Sequence, residues 1–78
     1  MASSTERVYV RLLGEGTDFF RPTRAHMLSP GLYRLLATDD YDPDDEAWEF
    51  LPGTIVRCEM SNISGETLLL AVESVPGA

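Results

Sequence analysis

ERVYVRLLGEG, residues 6–16, decides the fold class. Val8, Val10 and Leu12 fall on one side of an alternating pattern and Arg7, Tyr9 and Arg11 on the other. A period of two is the signature of a strand buried on one face only. The two glycines that follow, in GEGTD at residues 14–18, mark a turn, because glycine takes positive φ without steric cost. FFRPTRAHML then reads as a second extended segment, with Pro22 restricted to an edge, a bulge or a break, since proline cannot donate to a ladder. SPG at residues 29–31 is a turn that begins on proline, and LYRLL is a short third strand.

Further along, LPG at residues 51–53 offers a Pro-Gly turn, most simply type II, in which proline supplies the first central φ and glycine the positive second one. TIVRCEM alternates again, with Val56, Cys58 and Met60 on one side and Ile55, Arg57 and Glu59 on the other. SNISGE is a hairpin loop, and TLLLAVESV is the last strand. Five short strands with Gly/Pro turns predict an all-β domain, first an SH3-like barrel or roll and second an OB-like barrel. The expected core is Val8, Val10, Leu12, Leu35, Trp48, Phe50, Val56, Cys58, Leu68, Leu70 and Val72. One domain over residues 6–75 is expected, with frayed ends at 1–5 and 76–78.

The chain has 78 residues, 44% of them apolar and 24% charged, a globular composition near the lower size limit for a self-supporting core. With one cysteine, Cys58, an intrachain disulfide is impossible and a cysteine-rich metal site lacks ligands. The N-terminus has no charged start followed by an apolar run, and no stretch is apolar enough for a membrane span, so the cytoplasm is the expected compartment. NIS at residues 62–64 matches a glycosylation pattern that has no use there.

The formal charge of −7 is concentrated in one place. Asp39, Asp40, Asp42, Asp44, Asp45, Glu46 and Glu49 stand together with no basic residue among them. The remaining six acids balance the six basic residues, all arginine. A neutral body with one acidic segment does not suit phosphate backbones, which require a basic surface.

Three readings compete for DDYDPDDEAWEFLPG, residues 39–53. In the first, Asp42 caps a short helical turn that starts on Pro43 and runs to about Trp48, its acids favoured by the helix dipole, while Trp48 and Phe50 plug an open end of the barrel. In the second, Asp40, Asp42 and Asp44 imitate the start of a calcium loop. That reading fails at Asp45, where glycine is needed, and at Leu51, where a bidentate glutamate is needed. In the third, Asp40, Tyr41, Asp42, Asp44, Asp45 and Glu46 form a contact surface, the acids steering toward a basic protein and Tyr41 anchoring it. The expected answer combines the first and third: some acids cap, and the excess faces a partner. A phosphate-mimicking inhibitor of a nucleic-acid-binding protein is the alternative use of the same surface.

VYVRLLGEGTDFFRPTRA, LYRLL and YDPDDEAWEFLPGTIVRCE together resemble a family of small, functionally uncharacterised bacterial proteins. Its members open with V-x-V-x-L-L-x-E-G, continue with R-P and later carry Y-D-P-x-D-E-x-W-E-F-x-P-G. The resemblance spans roughly residues 8–60 and implies a bacterial cytoplasmic domain. It implies no activity.

Catalytic equipment is sparse. His26 is the only imidazole, and Cys58 lies in phase with buried positions, whereas a reactive thiol needs an electropositive, partly exposed setting. The acidic segment has the carboxylates for acid–base or metal-dependent hydrolysis, but a substrate pocket is hard to build in so small a barrel. The GEG turn lacks the helix that a phosphate loop requires. A non-enzymatic interaction module without cofactor or metal is the expectation; the alternative of a different class is a small carboxylate-dependent or metal-dependent enzyme, which would need a pocket containing at least two of those carboxylates. The arginines read as dispersed outward positions, or as a small basic patch if Arg7, Arg11, Arg21, Arg24 and Arg34 gather on one face.

Overall fold

The computed structural model describes residues 5–14, 19–39, 41–42, 44–63 and 65–75. Six strands are present among them: β1 (Thr5–Leu13), β2 (Phe19–Ser29), β3 (Leu32–Leu35), β4 (Ala47–Trp48), β5 (Ile55–Ile63) and β6 (Glu66–Ser74). They form one sheet in the order β2-β3-β5-β6-β1-β4, and a further β1–β2 pairing bends that sheet into a ring. All pairings are antiparallel except β1 with β6, which meet in parallel at Tyr9 and Leu70. No helix among the described residues is long and apolar enough to cross a membrane.

The alternation in ERVYVRLL works as expected. Val8 and Val10 are fully buried, and Leu12 packs against the core. β2 contributes Thr23 and Ala25 to the interior, where the Thr23 hydroxyl donates to the Leu36 carbonyl at 2.7 Å and so enters without an unmet bond. Pro22 is tolerated inside the β1–β2 ladder for a local reason. The Arg24 carbonyl accepts from Leu36 N on the β3 side, and two-residue alternation turns the Pro22 nitrogen to that same side, beyond the last β2–β3 pair at Ala25 and Leu35. A donor is not required there.

The LPGT turn is type II in form: Thr54 N donates to Leu51 O at 3.1 Å, and Gly53 has φ 90°. It is docked as well as closed, since Gly53 N donates to Leu35 O and Leu35 N to Thr54 O. This delivers the chain from the acidic segment into β5.

Four expectations are corrected. The strands number six, because Ala47–Trp48 pairs with Leu12–Leu13 of β1. For the same reason the helical turn does not reach Trp48, and no helix occurs among the described residues. Thr5, expected in the frayed tail, already pairs with His26; residues 1–4 and 76–78 lie outside the described set. In β6 the inward phase is reversed. Ala71 is buried and Leu69 packs on the core, while Leu68, Leu70 and Val72 are only half-buried. Cys58 on β5 faces Ala71, and the register shifts between Arg57 and Cys58, so the inward positions of β5 select 69 and 71. A bulge of this kind moves every side chain beyond it to the opposite face. Tyr33 and Ala25 complete an interior that also holds Leu35, Trp48 and Val56. Met60, in phase with Val56 and Cys58, runs past the core and is 64% exposed.

Candidate interaction surface

The acidic segment leaves β3 through Thr38, whose carbonyl accepts from Tyr41 N at 3.1 Å. Asp42 then organises one turn. Its Oδ1 accepts from Asp44 N at 2.9 Å, and its carbonyl accepts from both Asp45 N, at 2.9 Å, and Glu46 N, at 3.0 Å. This is the bonding of a capped first turn that stops after one cycle. It stops because the chain is drawn into β4 at Ala47.

Glu46 has a different role from its neighbours. Its carboxylate takes both nitrogens of an Arg21 fork, Nε at 3.2 Å to Oε1 and a terminal nitrogen to Oε2, and Oε1 also accepts from Trp48 Nε1 at 3.0 Å. A two-point guanidinium–carboxylate pair fixes geometry as well as charge. The indole it holds is 3% exposed, and the Tyr41 ring meets that indole edge-on at 4.9 Å and 68°. An indole N–H is enclosed at low cost only when it is satisfied, and Glu46 satisfies it. Phe50 packs on the same core. Trp48 and Phe50 therefore turn inward, Trp48 buried and Phe50 partly so.

The segment divides accordingly. Tyr41, Glu46, Trp48 and Phe50 belong to the packing of the domain, whereas Asp39, Asp42, Asp44, Asp45 and Glu49 are exposed. Asp40 and Pro43 lie outside the described residues. Of the contact set expected from sequence, Asp42, Asp44 and Asp45 are exposed, Tyr41 is half-buried against Trp48, and Glu46 is committed to Arg21 and Trp48. That commitment left no trace in the sequence, since its partners lie 25 residues upstream and two downstream.

The arginines separate into three groups. Arg21 supports Glu46. Arg57 pairs with Glu59 and Glu73 across β5–β6, and these bonds raise its already high pKa. Arg7, Arg11, Arg24 and Arg34 alternate with the buried positions of β1, β2 and β3 and so share the outer face, where Arg7 stands opposite Arg24, and His26 stands between Thr5 and Arg34. The Arg11 guanidinium lies 5.7 Å over the Phe20 ring.

Cys58 is 6% exposed and faces the interior; burial pushes its thiol up to about 11. His26 lies on the outer face of the sheet, so the two side chains occupy opposite faces. The Tyr33 hydroxyl is also raised, first by burial and then by Glu6 and Cys58. No cluster of three or more His, Cys, Asp or Glu side chains suited to a metal ion occurs among the described residues.

No family model, curated protein or solved structure matches the chain.

Proposed function

We propose that the protein is a non-enzymatic binding module, an SH3-like barrel that presents the turn around Asp42, Asp44 and Asp45 to a basic protein surface. One observation carries this reading. The ion pairs between described residues use Glu46, Glu59 and Glu73, while Asp42, Asp44 and Asp45 make none. Three exposed carboxylates lie within four residues on a turn that Asp42 caps, and no ion pair among the described residues compensates them. Such an arrangement attracts cations at long range and loses little entropy on docking. Asp40 and the exposed edge of Tyr41 extend the contact, and Glu46 acts from beneath by fixing the Trp48 platform. The resemblance to small bacterial proteins supports a place in the bacterial cytoplasm.

The test is titration of the protein with an arginine-rich peptide, read by amide shifts and repeated at several salt concentrations. The reading requires shifts centred on residues 39–46, affinity that falls as salt rises, and loss of binding in a folded variant carrying D42N, D44N and D45N. Unchanged binding by that variant would sink it. A phosphate-mimicking role predicts in addition that nucleic acid competes with this domain for the same partner.

A further inference from the structure

A second site stands apart from the acidic turn. Arg7 of β1 and Arg24 of β2 are directly opposite each other on the outer face. Cross-strand neighbours have Cβ atoms roughly 5 Å apart, and like charges so placed oppose sheet formation. No carboxylate pairs with either guanidinium among the described residues, although thirteen acids are present in the chain. Beside this pair lies an open cleft of about 400 Å³, lined by Arg7, Pro22, Thr23, Arg24, Ala37, Thr38 and Asp39. Within the lining, the Thr38 hydroxyl is the one enclosed side-chain oxygen or nitrogen without a hydrogen-bond partner among the described residues. An unmet hydroxyl in an enclosed position costs about 1–3 kcal/mol.

We infer that this cleft binds the oxyanion of a small molecule, a phosphate or a carboxylate, clamped between Arg7 and Arg24. The three unfavourable features share one remedy. A tetrahedral or planar oxyanion neutralises the opposed guanidinium pair, accepts from their planar donor forks, and gives the Thr38 hydroxyl an acceptor once that side chain turns about χ1 toward the lining. Asp39 in the lining restricts the ligand. Its carboxylate repels a second anionic group, so the region of the ligand facing it carries a hydroxyl or ammonium donor. The cleft is large enough for an oxyanion with a few attached heavy atoms. The site uses none of the carboxylates assigned to partner binding, so either idea can fail alone.

The experiment titrates the full chain with inorganic phosphate, glycerol phosphate and acetate at fixed ionic strength, with chloride as control, and follows amide shifts and thermal midpoint. Expected are saturable shifts at residues 7, 24 and 37–39, absent with chloride. R24Q and R7Q should each weaken the response about ten-fold or more, the loss of one charge-assisted contact, while D39N strengthens it. Either arginine variant should also melt higher than wild type without ligand, because it relieves the repulsion. Weaker binding by a more stable protein cannot be ascribed to damaged folding. Saturation by phosphate and its ester alone identifies a phosphate ligand; equal saturation by acetate identifies a carboxylate. The inference is overturned if no oxyanion saturates at millimolar concentration, if chloride acts equally, or if R24Q binds as wild type does.

Discussion

The acid-rich run at residues 39–49 and the apolar run at residues 68–72 each read as one kind of segment in composition, yet each divides into an inward and an outward set. The division follows different rules. In the acidic run it follows side-chain length and local bonding. Asp42 is short and caps the backbone two residues ahead, whereas Glu46 has the reach to meet Arg21 and Trp48 together. In the apolar run it follows register alone, because the bulge at Arg57/Cys58 sets which of Leu68 to Val72 face inward. A local rule acts within a few residues of itself. A register rule is fixed by a strand elsewhere.

The comparison can be broken most sharply at Trp48. Trp48→Ala removes the enclosed indole and leaves Glu46 without one donor, so the domain should lose about 3–5 kcal/mol in urea unfolding. A loss below about 1 kcal/mol would mean that the inward set of the acidic segment does not hold the domain together. Next comes the phase of β6. Leu69→Ala should cost about 2 kcal/mol or more and Leu70→Ala less than about 1; reversal of that order would restore the phase expected from sequence.

Within the acidic run, Glu46→Gln should cost about 1–2 kcal/mol, reduced by the partial exposure of the pair. Asp44→Asn and Asp45→Asn should stay within about 0.5 kcal/mol of wild type. Equal effects at all three positions would abolish the division. A separate, pH-dependent effect concerns Cys58, which faces Ala71. Its pKa is higher in the folded than in the unfolded chain, so deprotonation above about 9 favours unfolding, and stability should fall as pH rises from about 9 to about 11. Tyr33 acts in the same direction at higher pH. Replacing Cys58 with Ala should flatten the fall below about pH 11 in a series of urea midpoints; an unaltered profile would place the thiol in solvent.

Much of this was legible where the determinants are local. The alternation of β1 and of the beginning of β5, the Pro-Gly turn at Leu51–Thr54 and the Asp42 cap each depend on a few neighbouring residues, and each stands where the pattern put it. β4 was not legible, because a two-residue strand has no periodicity and exists only through Leu12 and Leu13. TLLLAV carries no alternation from which to read a phase. The Arg7–Arg24 juxtaposition requires the β1–β2 register, which the GEGTD turn leaves open. The inward turn of Trp48 agrees with the expectation that it folds back, but nothing in the sequence sets its partner Glu46 apart from the exposed acids, because charge alone does not distinguish a glutamate that reaches back from one that faces water.

The single parallel contact of the sheet has a mechanical consequence. β1 and β6 run the same way past Tyr9 and Leu70, so Thr5 and Val75 point toward opposite poles. Tension applied between those residues is directed along both strands at their seam. The contacts there must then slip together in shear instead of opening in succession, and a tether attached at the two ends would meet resistance from the whole seam at once.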